Sequence, residues 1–215
     1  MTLNFRECTL RVLEKHFGLK EVMETPLLND WLNSEVEVSD FERRNLQHLR
    51  KKLKKNVHDW NETELACYFI GPVLSLVDYT TDWFNLFAER QFSGVVDGIE
   101  MRGKPDGLIA SGLREPETPF FCFQEYKKEQ DPEGDPAGQV LGAMLVAQEL
   151  NEHICPVYGC YVRGRDWFFM VLQGREYCVS EGHQATRDDI FDIFRILKGL
   201  KQILLEIVGE PSGNK

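Results

Sequence analysis

The segment GKPDGLIA (residues 103–110) and, after a short break, FFCFQEYKKE (residues 120–129) constrain the chain more than any other feature. Both read as strands, and strand side chains alternate between faces. Phe121 and Phe123 therefore precede Glu125 and Lys127 on one face, with Tyr126 on the other. A carboxylate and an ammonium emerge at the end of an apolar strand, and Asp106 stands near the start of the neighbouring one. Charges placed there are costly unless something binds them. A divalent cation held by Asp106 and Glu125 would satisfy both carboxylates and leave Lys127 beside it.

The rest of the chain reads as mixed α/β. Apolar residues recur at helical spacing from Phe5 to Phe17, and Ser39 or Asp40 is placed to cap a helix running to about Val57. A third helix starts near Asn61, with Gly71-Pro72 expected to kink it or end its first half. Phe84 to Phe92, Val95 to Met101, Pro105 to Ala110 and Phe120 to Lys127 follow as strands, punctuated by glycines. Asp135 to Leu150 reads as a helix. Val157 to Val162 and Trp167 to Leu172 read as a hairpin about Gly164-Arg165, and Tyr177 to Val179 as a short strand. Thr186 or Arg187 to Val208 closes the chain as a long helix. This order implies a mixed central sheet flanked by helices. The division expected is a helical extension over residues 1–60, a core over 61–208 and a disordered tail over 209–215.

Composition bounds the function. With 215 residues, 42% of them hydrophobic and 11% aromatic, the chain can bury a substantial core. A net charge of −10 argues against a protein that coats nucleic acid non-specifically, but not against an enzyme with one local basic track. The opening MTLNFRECTLRVLEKHFG carries charges throughout and does not read as a secretory leader, and no apolar run approaches membrane-spanning length. A cytoplasmic protein without a membrane partner is expected. The cysteines at 8, 67, 122, 155, 160 and 178 form no CxxC pair and read as reduced, mostly buried thiols, with Cys67 in the core. Trp83 and Trp167 also read as core. The five histidines show no ligand or triad spacing.

Pro105-Asp106 followed by Glu125-Tyr126-Lys127, on consecutive strands, resembles the PD-(D/E)XK nuclease superfamily, the restriction endonuclease-like fold. The preceding helix reads Glu64-Leu-Ala-Cys-Tyr-Phe-Ile70-Gly-Pro72-Val-Leu74, similar to the first-helix signature of restriction-type members. Gln139 opens the following helix, and some members carry a Gln there; one turn on stands Ala143, where the Q-x-x-x-Y version has Tyr. The resemblance covers about Asn61 to Val171, with elements in the order helix, three strands, helix, strand. It implies phosphodiester hydrolysis with Mg²⁺ or Mn²⁺. Asp106 and Glu125 would hold the metal, with the Tyr126 backbone carbonyl as a further ligand and Glu64 binding through water or holding a second ion. Lys127 would orient the attacking water or stabilise developing charge, and Gln139 would hydrogen-bond a water or the phosphate.

Each residue also has a structural reading. Asn61 with Glu64 fits a capping box. Asp106 after Pro105 fits a turn, Glu125 and Lys127 an exposed strand-edge pair, and Gln139 a plain first-turn residue. Arg43, Arg44, Arg50, Lys51, Lys54 and Lys55 crowd one helix, either as a solvated face or as a track for a nucleic-acid backbone. The expectation is a metal-dependent endo- or exonuclease acting on nucleic acid, DNA first, with the N-terminal helices as the natural interface for a homodimer or protein partner. The alternative is a non-catalytic interaction module on the same fold.

Overall fold

The computed structural model describes residues 2–130 and 132–209. Strand β1 (Thr2–Asn4) leads into a single 3₁₀ turn at Phe5–Glu7 and then helix α1 (Leu10–Phe17). The stretch from Phe5 to Phe17 is therefore not one helix, because two caps divide it. Asn4 and Glu7 close a capping box on the 3₁₀ turn, and Thr9 restarts the chain by accepting from the Val12 N–H. Strand β2 (Lys20–Glu21) and helix α2 (Pro26–Leu32) precede α3 (Asp40–Asn56). Ser39 caps α3 reciprocally with Glu42.

Helix α4 (Glu62–Leu65) runs through a π-helical turn at Ala66–Ile70 into α5 (Gly71–Val77). Pro72 has no N–H and would clash with the carbonyl four residues back in a regular helix. The chain widens instead of breaking: the Gly71 N–H reaches the Ala66 carbonyl, one residue further than in an α-helix. Across this turn Phe69 and Ile70 are buried, while Cys67 and Tyr68 face solvent. Cys67 is thus not the core residue that its apolar neighbours suggest.

Strands β3 (Asn85–Ala88), β4 (Phe92–Val96), β5 (Ile99–Gly103), β6 (Gly107–Ser111) and β7 (Glu117–Lys127) follow. Val95 to Met101 is not a single strand. Asp97 and Gly98 take φ of 48° and 76° and turn the chain back as a tight β4–β5 hairpin. Helix α6 (Pro136–Leu150), strands β8 (Val157–Arg163), β9 (Asp166–Gln173), β10 (Glu176–Val179) and β11 (His183–Gln184), and helix α7 (Asp189–Ile207) complete the described chain. The expected disordered tail lies, beyond Gly209, outside the described residues.

The main sheet is mixed, in the order β2-β10-β9-β8-β7-β6-β3, with β11 added on β9. Strands β3, β6 and β7 form an antiparallel meander, α6 crosses over, and β8 returns parallel to β7. A smaller sheet, β1-β5-β4, lies apart from it. Helices α2, α3, α5 and α7 pack on one face of the main sheet around Trp31, Phe69, Phe121 and Trp167. On the other face, α1, α6 and the small sheet enclose Phe5, Phe92, Phe123 and Met144. The first sixty residues are thus divided between the two faces. Trp167 is core, at 1% exposure, whereas Trp83 is 49% exposed.

Helix α6 is apolar all round and buried from Ala137 to Gln148, because sheet closes it on both sides. Glycines set its depth. A Cβ at Gly138 would stand 2.5 Å from the Thr9 Cα and 2.6 Å from the Cys8 carbonyl oxygen, and one at Gly159 would meet Met144 and Val140. This close seating brings Gln139 to the end of β7.

Candidate functional site

The meander ends where the chemistry-bearing residues begin. Pairing of β6 with β7 stops at Gly107↔Gln124. Beyond it the Asp106 side chain replaces a backbone carbonyl: the Tyr126 N–H donates to Asp106 Oδ2 at 2.6 Å. Lys127 Nζ donates to Glu125 Oε1 at 2.7 Å and lies 3.9 Å from Glu62 Oε1. Glu125 and Lys127 are each only 8% exposed. Asp106, Glu125, Lys127 and Gln139 line one cleft of about 340 Å³. Phe5, Arg6, Glu62, Lys104 and Glu133 contribute to its walls and rim.

No protein-family model matches the chain, and no curated protein does. The site is therefore read from its own geometry.

Burial dominates its electrostatics. It pushes the Glu125 carboxyl up to about 7, with the Asp106 charge adding to the rise and Lys127 opposing it. Burial also raises Asp106, against the Tyr126 N–H and the Lys127 charge. For Lys127, burial favours the neutral amine, but its bond to Glu125 and the charges of Glu125, Glu62 and Asp106 outweigh this and hold the ammonium above its ordinary value. Two carboxylates crowd a low-dielectric cleft, with one ammonium to offset them. Among the described residues, no hydrogen bond reaches Asp106 Oδ1 or Glu125 Oε2.

This donor set fits a hard divalent cation. Mg²⁺ takes oxygen ligands, keeps several waters and is usually held by one or two carboxylates. Asp106 and Glu125 supply two, each with an oxygen not engaged by a hydrogen bond. Among the described residues, no group of three or more His, Cys, Asp or Glu is placed to hold a metal ion.

One of the expected site residues lies elsewhere. Glu64 does not line the cleft: its Oε2 accepts from the Asn61 N–H at 3.0 Å, and the Glu64 N–H donates back to Asn61 Oδ1. The capping box turns Glu64 toward its own helix start. Glu62, the first residue of α4, is the helix carboxylate that reaches Lys127. The Asn61-x-x-Glu64 spacing carried that signal in the sequence. The Tyr126 ring belongs to the core on the other face of the sheet, as the strand alternation implies, while its backbone N–H holds Asp106. Nothing in the sequence marked Arg6 or Lys104, since their approach depends on the N-terminal turn and the β5–β6 corner.

The basic helix α3 lies on the sheet face away from α6. Its cations are of two kinds. Arg43, itself exposed, and the half-buried Arg50 lie over the Phe191 ring of α7, at 5.3 and 5.9 Å, and Arg50 also pairs with Asp188. Arg44, Lys51, Lys54 and Lys55 are exposed.

Proposed function

We propose that this protein is a Mg²⁺-dependent phosphodiester hydrolase acting on nucleic acid, built on a restriction endonuclease-like core. The observation that carries this reading is the convergence of Asp106, Glu125 and Lys127 on one cleft at the ends of two adjacent strands. The order α4–α5, β3, β6, β7, α6, β8 supports it, being the helix, three strands, helix, strand order that the PD-(D/E)XK resemblance implies, with the β4–β5 hairpin inserted.

Asp106 and Glu125 would hold the metal. When bound, Mg²⁺ supplies positive charge to a phosphoryl oxygen and lowers the pKa of a water. The chain's own residues account for the rest. The Tyr126 N–H fixes the orientation of Asp106. Lys127, already protonated and held by Glu125, donates hydrogen bonds to the attacking water or to a non-bridging phosphate oxygen. Gln139 offers an amide to the same phosphate from the opposite wall. Arg6 and Lys104 give the cleft mouth positive charge that offsets an incoming backbone. Glu62 keeps the Lys127 ammonium directed along the strand end.

The test is incubation of plasmid, single-stranded and branched DNA, and of RNA, with Mg²⁺ or Mn²⁺. Cleavage is expected to disappear in EDTA and to fall at least about a hundredfold in Lys127→Ala. Cleavage that survives either change refutes the assignment. Absence of both cleavage and calorimetric Mg²⁺ binding would favour the interaction-module reading, in which the Glu125–Lys127 pair is structural.

A further inference from the structure

Beside the cleft lies a surface that the hydrolytic chemistry does not use. Tyr68, set outward on the π-helical turn, is 47% exposed. Its ring stands 5.9 Å from that of Trp60, tilted at 52°, and Lys52 Nζ lies 4.7 Å from its centroid. Along α3, Arg44, His48, Lys52 and Lys55 follow one another at helical spacings of three or four, with Lys51 alongside. Arg43 and Arg50, on the opposite face of the helix, are occupied by α7. In a chain of net charge −10, this stripe is a concentrated positive surface with the exposed Tyr68 ring and the half-buried Trp60 ring at its end.

Two chains of residues join this surface to the cleft. Trp60 precedes Asn61 and Glu62, and the Glu62 carboxylate is 3.9 Å from Lys127. His58 Nε2 is 2.9 Å from an Arg165 guanidinium nitrogen, and Arg165 pairs with Glu129, two residues beyond Lys127, at 2.6 Å. Asp59, Glu62 and Glu64, whose carboxylate accepts from the Asn61 N–H, are acidic groups along that edge.

We propose that Lys51, Lys52, Lys55, Trp60 and Tyr68 form a platform for single-stranded nucleic acid, with a base stacked on Tyr68 and the lysines on its backbone, leading the strand over Glu62 into the cleft. The inference rests on the nuclease reading for what the strand is led to. Charge complementarity selects a polyanion, and the exposed ring selects unpaired bases. In a duplex each base face is already stacked on its neighbours, whereas a single strand offers a π face to an aromatic side chain whatever its sequence. A π-helical turn is itself a device found often at functional sites.

The test separates binding from cleavage. Fluorescence anisotropy of dye-labelled oligothymidylate, oligouridylate and a mixed-sequence duplex is measured with the full chain in EDTA, so that no strand is cut. The single strands are expected to bind more tightly than the duplex. Tyr68→Ala weakens single-strand binding by about tenfold, and Tyr68→Phe, which keeps the ring, restores it. Lys52→Ala reduces the slope of log affinity against log salt by about 0.7. Because Tyr68 is half-exposed, its replacement leaves the fold intact, which circular dichroism checks. Equal binding of wild type and Tyr68→Ala, preference for the duplex, or no single-strand binding overturns the platform, even where wild type cleaves in Mg²⁺. Tyr68-dependent binding without any cleavage keeps the platform and overturns the nuclease reading instead. The DNA and RNA arms show which strand it takes.

Discussion

The crowding of Asp106 and Glu125 makes the metal-free protein sensitive to pH in a direction that can be worked out. The Glu125 carboxyl rises from 4.5 to about 7 on folding. The folded chain therefore holds a proton that the unfolded chain has released. Folding is favoured at acid pH by this group, and the advantage is lost as pH climbs from about 4.5 through about 7. At about 1.4 kcal/mol per pH unit, the loss is on the order of 3 kcal/mol. For a chain of this size that corresponds to a fall of roughly 6–12 °C in Tm. Asp106 is raised too and contributes with the same sign, while the raised Lys127 titrates far above this window. On the proposed reading Mg²⁺ would act oppositely, by binding the ionised pair and stabilising the folded state through mass action. The assay is thermal unfolding from pH 5 to pH 8 in EDTA and in saturating Mg²⁺, for wild type and Glu125→Gln. The expected result is a wild-type Tm in EDTA that declines toward neutral pH relative to Glu125→Gln and is restored by Mg²⁺. Comparison with the variant isolates the contribution of Glu125 from that of the other ionisable groups. Parallel curves for the two proteins, or no effect of Mg²⁺ on wild type at pH 8, would refute the reasoning.

Glu62→Gln and Glu64→Ala should fail in different ways. The first is expected to slow cleavage on the order of tenfold, about 1.4 kcal/mol, with little change in Tm. The second costs about 1 kcal/mol of stability through the lost cap and leaves the cleavage rate of the folded protein unchanged, as kinetics and calorimetry would show. Gly138→Ala forces a methyl against the Cys8 and Thr9 backbone and should destabilise by about 2 kcal/mol in urea titration. A thiol reagent should label Cys67 rapidly in the native protein and the buried Cys8, Cys122, Cys160 and Cys178 only on unfolding, read as one fast equivalent or two if Cys155 follows.

Much of this architecture is legible in the sequence where local signals and packing agree. Ser39 with Glu42 starts α3, and Gly164 turns the β8–β9 hairpin. Asp135 caps α6, and alternation along Phe120–Lys127 puts Glu125 and Lys127 on one face. The failures have physical causes. Apolar periodicity from Phe5 to Phe17 hides the Asn4 and Thr9 caps. Valine and isoleucine on both sides of Asp97-Gly98 read as continuous strand, although that pair is itself a turn signal. Register through a π-helical turn is not written in the spacing of residues, so Cys67 faces the opposite way from expectation. At the site, Asp106, Glu125, Lys127 and Gln139 share one cleft. The helix carboxylate shifts from Glu64 to Glu62 because a cap competes for the first. Arg6 and Lys104 reach the mouth only through tertiary approach.

The pairing of distant segments governs how this chain is made. β1 lies on β5, joining Thr2 to Glu100, and β2 lies on β10, joining Lys20 to Glu176. The Trp31 indole N–H donates to the Ile196 carbonyl at 2.8 Å. Each of these closures spans about half the chain or more, and such long-range contacts slow folding. During synthesis the first thirty residues emerge long before their partners. The Trp31 bond cannot form until Ile196 has left the ribosome. The nascent chain therefore carries an unshielded tryptophan and an unpaired β2 through most of its translation, and an unpaired β1 through about half, the state in which aggregation competes and chaperones act.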